Sequence, residues 1–200
     1  MALISALVLL GVAQRVLDRM QLSDRAALLI AGLLFIGGLI PDIQVGQVSV
    51  NLGGAVVPIG VCVWLLIRAD TGKEALRAIV GSVLTGAAVF ALGRLLPSDP
   101  ERMAVEPQYL YGLAGGLIAY ILGRSRRNAF ICGVMGIVLA DVASALIAWG
   151  SGVEETLRLG AAGARDAIVI SALLSVLLAE FLGEALERLS RRPAPERSKK

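Results

Sequence analysis

The sequence predicts an all-α fold, a polytopic bundle of transmembrane helices. Of its 200 residues, 56% are hydrophobic and only 18% are charged, and the mean hydropathy is +0.77. The apolar residues form long runs separated by short stretches that contain Asp, Pro and Gly. A spanning helix needs about 20 mostly apolar residues, and seven runs approach that length. This composition excludes a water-soluble globular fold and a disordered chain.

The first predicted span, 1–18, is the least regular, because Gln14 and Arg15 interrupt it. A cleaved signal peptide is the alternative for this segment. It is disfavoured because no charged residue precedes the apolar run, while Arg15, Arg19 and Arg25 follow it closely. The other six predicted spans are 25–41, 52–68, 75–96, 109–123, 129–149 and 162–183.

Two connections have patterns of their own. Residues 43–51 alternate apolar and polar side chains around Gly46 and Gln47, which predicts a short hairpin. The third span then opens with the sequence NLGGAVVPIG, and this run of Asn51, Gly53, Gly54 and Pro58 predicts an irregular or broken helix whose backbone lines a cavity. A simple helix kink is the alternative.

Small residues recur four positions apart within several spans, the spacing at which two helices pack closely. These pairs predict helix packing and leave homo-oligomer formation open. They are Gly112 with Gly116, Ser82 with Gly86, and Ser171 with Ser175.

The basic residues predict an orientation. Fifteen of the 19 lie on one set of alternate loops and four on the other. Because positive charge accumulates on the cytoplasmic side, seven spans place the N-terminus outside and the C-terminus in the cytoplasm. The first set is Arg15, Arg19, Arg25, Arg68, Lys73, Arg77, Arg124, Arg126, Arg127, Arg188, Arg191, Arg192, Arg197, Lys199 and Lys200; the second is Arg94, Arg102, Arg158 and Arg165.

We expect residues 1–190 to form a single transmembrane domain and the basic segment 191–200 to be a disordered cytoplasmic tail. The predicted location is a membrane that the chain crosses several times. Because the basic residues follow the loops, nucleic acid is not an expected partner; the lipid bilayer is.

Enzyme chemistry that depends on histidine is excluded, since the chain contains none. The two cysteines, Cys62 and Cys132, both lie inside apolar runs, where a thiol behaves as a small hydrophobic group. We therefore expect no disulfide, no metal site and no cofactor.

Aspartates inside apolar runs are the candidate functional residues. Inserting a carboxylate into a membrane costs free energy, and carboxylates found there usually serve a function. Asp141 lies about 12 Å below the outer end of the sixth span, and Asp166 about 7 Å inside the outer start of the seventh. The two spans are consecutive and antiparallel, so both carboxylates reach a similar depth and can meet. Asp42, at the outer end of the second span, is a candidate for the same cavity.

Two adjacent carboxylates do not easily both ionise, so one of them retains a proton. This state suits aspartyl peptide hydrolysis, and it equally suits the binding and release of a proton or cation during transport. The structural alternative is that Asp166 pairs with Arg165 and Asp141 accepts hydrogen bonds from a neighbouring helix. Asn51, Gly53 and Gly54 are candidates for lining the ion-binding cavity.

Three segments together resemble an uncharacterised family of bacterial polytopic membrane proteins, known only as a domain of unknown function. They are NLGGAVVP at the start of the third span, LAD in the sixth, and the pattern G-A-A-G-x-x-D at the start of the seventh. The resemblance covers most of the chain. It implies the helical membrane layout and a multi-pass location in the bacterial inner membrane, but no reaction.

The last two predicted spans also resemble the catalytic helix pair of presenilin and signal peptide peptidase proteases. The resemblance implies that Asp141 and Asp166 are catalytic. That family carries Gly-x-Gly-Asp at the second aspartate, where this chain has Gly163, Ala164 and Arg165, and Ala140 stands in place of the usual tyrosine before the first aspartate.

Three functions follow from these residues. One is an intramembrane aspartyl protease acting on a membrane peptide. Another is a proton- or cation-coupled transporter or permease for a small ion or solute. The third is a non-catalytic membrane scaffold or assembly factor, in which the aspartates make packing hydrogen bonds.

Overall fold

The computed structural model describes residues 24–96, 106–123 and 125–190, together with residues 11, 14 and 16. Each of the six predicted spans after the first corresponds to one helix. The first predicted span, apart from those three residues, and the predicted tail 191–200 lie outside the described residues. The helices are α1 (Asp24–Leu39), α2 (Val57–Ile67), α3 (Gly72–Leu95), α4 (Pro107–Gly123), α5 (Arg126–Gly150) and α6 (Ala167–Ser190).

Three helices of the described residues, α3, α5 and α6, are long and apolar enough to cross a membrane. Arg25–Leu39 and Leu52–Ile67 are apolar but shorter. At 1.5 Å per residue, each of these two covers roughly 24 Å or less, whereas a bilayer core is about 30 Å thick. The chain is therefore compatible with a membrane protein through three helices, and the count of seven spans stays a prediction.

Helix α5 is the centre of the bundle and packs against α3, α4 and α6. The predicted small-residue pairs form these contacts, which confirms their role in packing. A Cβ atom added at Gly112 would lie 2.7 Å from Cβ of Leu174, and one at Gly116 would lie 2.8 Å from the backbone oxygen of Ser175. At Gly86 the same atom would lie 3.0 Å from Cβ of Leu139.

A small sheet accompanies the helices, so the all-α prediction needs this correction. Strands β1 (Ile43–Val45) and β2 (Val48–Val50) form the predicted antiparallel hairpin, in which Gly46 adopts a φ of +59°. The third strand, β3 (Leu157–Leu159), pairs with β2 in parallel. This pairing joins residues more than 100 positions apart, and no local pattern predicts it.

The two ends of the bundle differ in chemistry. At the basic end, Arg127 forms an ion pair with Asp70 at 3.5 Å and Arg126 with Glu180 at 3.7 Å. These contacts bring together the start of α5, the connection between α2 and α3, and the second half of α6. The opposite end carries the three strands and is called the sheet end below.

Candidate functional site

The predicted irregularity in NLGGAVVP is a π-helical segment, Leu52–Val56, that leads directly into α2. The backbone N–H of Val56 donates to the oxygen of Asn51, five residues earlier, at 3.2 Å. Pro58 has no N–H to donate, so the ordinary helical ladder is already interrupted at this point. The structure therefore confirms an irregular helix at the sheet end.

The side chain of Asn51 holds this segment to the end of α1. Its Oδ1 accepts the N–H of Gly54 at 2.9 Å, which caps the π-helical segment. Its Nδ2 donates to the oxygen of Ile40 at 3.1 Å and to Oδ1 of Asp42 at 2.9 Å. Asn51 is buried, and all three polar contacts are local to the sheet end. Its amide thus orients Asp42, whose other carboxylate oxygen accepts the hydroxyl of Ser49 at 3.4 Å.

Three segments meet at the sheet end through glycines, and we call this contact the glycine crossing. A Cβ atom at Gly53 would lie 2.2 Å from the backbone nitrogen of Gly38, and one at Gly54 would lie 2.1 Å from the oxygen of Gly160. At Gly163 the same atom would lie 2.9 Å from Cα of Gly38. At each of these positions the nearest atoms belong to the backbone of another segment, so no side chain larger than hydrogen fits there. The NLGG and GAAG sequences are therefore in direct contact.

Asp166 is the N-terminal cap of α6. Its Oδ1 accepts the N–H of Ile168 at 3.0 Å, and its Oδ2 accepts the N–H of Ala162 at 3.2 Å. Burial raises the pKa of the Asp166 carboxyl above its ordinary value; the two N–H donors partly offset this rise, and the charge of Asp42 adds to it. Among the described residues no ion pair joins Asp166 to Arg165, so the predicted pairing is replaced by this cap.

Asp141 lies in the second half of α5, half-buried, inside a helix that is apolar over most of its length. It is within electrostatic range of Asp166 and of Tyr111 on α4. No hydrogen bond or ion pair to its carboxylate is formed by any residue within the described ranges. In the structural alternative, a neighbouring helix donates a hydrogen bond to Asp141. Among the described residues no helix provides such a donor.

The three predicted aspartates therefore form a series, which we call the acidic row: Asp42, Asp166 and Asp141. Asp42 is exposed at the sheet end, Asp166 is half-buried at the start of α6, and Asp141 lies within α5. Adjacent members interact electrostatically. Within the part of the chain that the structure describes, no group of three or more His, Cys, Asp or Glu side chains is arranged to hold a metal ion.

Such a row can bind a proton, since a positive charge relieves the repulsion between neighbouring carboxylates. Asn51, Gly53 and Gly54 lie beside the row but act on its geometry: Asn51 orients Asp42, and the two glycines allow the backbones to meet. These three positions bring α1, the π-helical segment and the start of α6 together.

Sequence reasoning missed several residues of this region. Ser49 donates a hydrogen bond to Asp42, Tyr111 lies within electrostatic range of Asp141, and Gly38 meets Gly53 and Gly163 in the glycine crossing. Gly160 and Gly163 have positive φ angles of 74° and 59°. The glycines of GAAG were visible in the sequence, but their partners in NLGG lie over 100 residues away, so spacing alone does not connect them.

Comparison with known proteins gives a family match. A family model described as "Protein of unknown function (DUF1614)" matches residues 11–178. No curated protein and no solved structure matches the chain. The matched range includes the whole acidic row and the whole glycine crossing. The chain belongs to the DUF1614 family.

Proposed function

We propose that this protein is a multi-pass membrane transporter or permease that uses the acidic row to bind and release protons. The observation that carries the proposal is Asp141: a half-buried carboxylate on a spanning-length helix, with no partner among the described residues and with Asp166 in electrostatic range. A carboxylate in such a position is costly to insert and is typical of proton and ion pathways.

The three aspartates become more buried along the row, which supports proton transfer from solvent toward the core of the bundle. Asp42 is open to solvent at the sheet end, Asp166 follows, and Asp141 is reached last, inside the bundle. A proton that enters at Asp42 therefore meets acceptors in sequence, each influenced by the charge of its neighbour. The proposed row leads from the surface to the helix core.

The distribution of charge supports an orientation for this transport. The basic end gathers Arg68, Lys73, Arg126 and Arg127 at neighbouring helix termini. We assign this end to the cytoplasm of a bacterial cell and the sheet end to the outside, following the positive-inside rule. The acidic row then faces outward in the inner membrane.

Intramembrane aspartyl proteolysis is the second candidate, and the electrostatic contact between Asp141 and Asp166 favours it. It requires both carboxyls to exchange protons with a peptide substrate. Each oxygen of Asp166 already accepts a backbone N–H group, which leaves a lone pair for a proton but holds the carboxylate against the start of α6 rather than toward a peptide substrate. This engagement is the reason for preferring transport.

The test is proton uptake by the full chain in phosphatidylethanolamine and phosphatidylglycerol liposomes. An imposed potassium gradient with valinomycin drives uptake, and an enclosed pH-sensitive dye reports it. We expect Asp141→Asn to lower the rate roughly a hundredfold, the effect of losing a positioned proton acceptor. Glu154→Gln is the matched control, because Glu154 is an exposed carboxylate at the sheet end outside the row, and it should retain the wild-type rate.

Equal rates for the wild type and Asp141→Asn would contradict the transport proposal. A quenched fluorogenic transmembrane peptide of leucine and alanine then tests the second candidate. Cleavage that both Asp141→Asn and Asp166→Asn abolish would replace transport by proteolysis. Neither uptake nor cleavage, with Asp141→Asn changing only stability, would assign the aspartates to a scaffold.

A further inference from the structure

The first two turns of α3 place acidic and basic side chains on different sides. Glu74 turns toward the start of α5, where its Oε1 accepts the hydroxyl of Ser125 at 3.4 Å; its Oε2 accepts the N–H of Asp70 at 3.3 Å. Lys73 and Arg77 are both exposed. Among the described residues, no carboxylate forms an ion pair with either of these two cations. The charges of this segment are therefore separated rather than paired.

The two cations are placed unfavourably for a protein on its own. They are four residues apart, so they are neighbours on the helix surface, where like charges repel. They also lie in the first two turns of α3, and the partial positive charge of a helix N-terminus adds to the repulsion. The nearest carboxylates in sequence are engaged elsewhere, Asp70 with Arg127 and Glu74 with Ser125. An anion outside the chain would relieve this repulsion.

An exposed apolar surface continues from the two cations along α3. Four residues follow one another at spacings of four, three and four, so they lie on one face of the helix. We call this face the α3 strip: Lys73, Arg77, Val80 and Leu84. Val80 is 41% exposed and Leu84 47%. Because α3 is long and apolar enough to cross a membrane, this face is one that lipid would contact there.

Distances along α3 match the layers of a bilayer. Lys73 and Arg94, near the two ends of the helix, are separated by about 32 Å of helix rise, and a bilayer core is about 30 Å thick. The cations of the strip therefore reach the depth of the headgroups. Val80 lies about 4.5 Å and Leu84 about 10.5 Å beyond Arg77, at the depth of acyl chains. An anionic phospholipid presents its charge and its chains in this order, whereas a free phosphate ion would match the cations alone.

Trp64 and Arg68 on the neighbouring segment indicate the same depth. The guanidinium carbon of Arg68 lies 5.3 Å from the centroid of the Trp64 ring, and both residues are exposed. Tryptophan is enriched at membrane interfaces, because its ring is apolar and its N–H is polar. Arg68 ends α2 and is joined to Lys73 by the short connection between α2 and α3. This end of the bundle therefore has the side chains of a headgroup layer.

The surface of α6 near the same end has a different balance of charge. Phe181 is 67% exposed there and lies next to Glu180, which pairs with Arg126 at 3.7 Å. Farther along α6, Arg188 pairs with Glu184 at 2.6 Å. These two cations already have carboxylate partners, unlike the two cations of the α3 strip. Attraction of an anionic lipid is therefore expected at α3 rather than at α6.

We propose that the α3 strip binds an anionic diacyl phospholipid, with the headgroup phosphate at Lys73 and Arg77 and an acyl chain along Val80 and Leu84. Phosphatidylglycerol is the test ligand, because its negative charge is not cancelled within the headgroup, as it is in phosphatidylcholine. In the proposed orientation this lipid belongs to the cytoplasmic leaflet. The inference concerns lipid binding and does not rest on proton transport.

The test measures lipid contact with a single tryptophan in the full chain. Trp64→Phe and Trp149→Phe remove both native tryptophans, and Leu76→Trp places a reporter beside the strip. Brominated acyl chains quench tryptophan fluorescence on contact, so bilayers that mix brominated phosphatidylglycerol with plain phosphatidylcholine give a relative binding constant. Each basic residue near an anionic lipid contributes about fivefold to affinity, so we expect phosphatidylglycerol to be preferred by about twenty-fivefold.

Three variants and a second reporter serve as comparisons. Lys73→Gln with Arg77→Gln should abolish the preference, whereas the exchange Lys73→Arg with Arg77→Lys keeps both charges and should retain it. Arg94→Gln with Arg158→Gln is the matched control for net charge, because both cations are exposed and lie toward the sheet end, and it should also retain the preference. Phe181→Trp is the matched reporter on α6 and should show no preference.

Absence of a preference at Leu76→Trp, with both cations present, would overturn the inference. An equal preference at Leu76→Trp and Phe181→Trp would also overturn it, because the whole protein would then attract anionic lipid. Equal losses in the Lys73 and Arg77 variant and in the Arg94 and Arg158 control would assign the effect to net charge, with the same consequence. Fluorescence quenching does not depend on proton uptake, so failure of the transport proposal leaves the lipid site standing.

Discussion

At the scale of single residues, Asp166 combines a helix cap with a carboxylate whose pKa is raised by burial. A group with a raised folded-state pKa stabilises the fold fully below its ordinary value of 3.8, and this contribution is lost as pH rises through the folded-state value. Asp166→Asn keeps a side-chain acceptor for the cap and removes the charge. We predict that the variant gains stability relative to the wild type as pH rises from about 4 to neutrality.

Thermal unfolding of both proteins in detergent across this pH range measures the difference. Asp166→Ala is the control, since it loses the cap as well and should be less stable than Asp166→Asn by about 1 kcal/mol at every pH. A difference between wild type and Asp166→Asn that does not vary with pH would contradict the assignment of a raised pKa.

The candidate aspartates could be found from the sequence because a charged residue in an apolar run is conspicuous. The fold brings Asp166 within electrostatic range of both Asp42 and Asp141, while the place of the three aspartates in a membrane and their roles stay predictions. Tyr111 could not be found in this way, because an aromatic residue in an apolar run is not conspicuous. Only the packed structure brings Tyr111 into electrostatic range of Asp141.

At the scale of elements, the π-helical segment and the loop before α6 depend on the glycine crossing. A Cβ atom at Gly54 would lie 2.1 Å from the oxygen of Gly160, and both partners are backbone. We predict that Gly54→Ala destabilises the protein by about 3 kcal/mol, at the upper end of the usual cost of overpacking. Denaturant unfolding followed by circular dichroism measures this change.

Gly60→Ala is the matched control on the following helix, because a Cβ atom at Gly60 meets nothing within 4 Å. Replacing glycine by alanine within a helix favours folding by about 0.5 to 1 kcal/mol, so this variant should equal or exceed the wild type. Equal stability of the two variants would mean that the backbones do not meet at Gly54.

The helices could be predicted because each apolar run is long enough to show a single element and is bounded by Asp, Pro or Gly. The hairpin could be predicted from its alternation and from Gly46. The parallel pairing of β2 with β3 could not, because it depends on how α5 returns residue 157 to the sheet end. The length of an apolar run also limits what can be predicted from it. A run of 16 residues, such as Leu52–Ile67, indicates a helix but does not decide whether that helix crosses the bilayer.

At the scale of the whole molecule, the assigned orientation makes the hairpin accessible from outside and the connection between α2 and α3 accessible from the cytoplasm. We predict that Gln47→Cys in intact cells reacts with a membrane-impermeant maleimide, and that Lys73→Cys reacts only after the cells are opened. Both positions are exposed, and the native Cys62 and Cys132 are buried and should remain unlabelled. Labelling of Lys73→Cys in intact cells would reverse the orientation.

The glycine crossing also constrains the order in which the protein is completed during synthesis. The N–H of Asn51 bonds the oxygen of Leu159, and Gly54 packs on Gly160, so the first helices find these partners only after the ribosome has passed residue 160. Until then the π-helical segment has no neighbour at this face. The early helices therefore reach their final packing only when most of the chain has been made, and a chain that ends before residue 159 would lack the partners of Asn51 and Gly54.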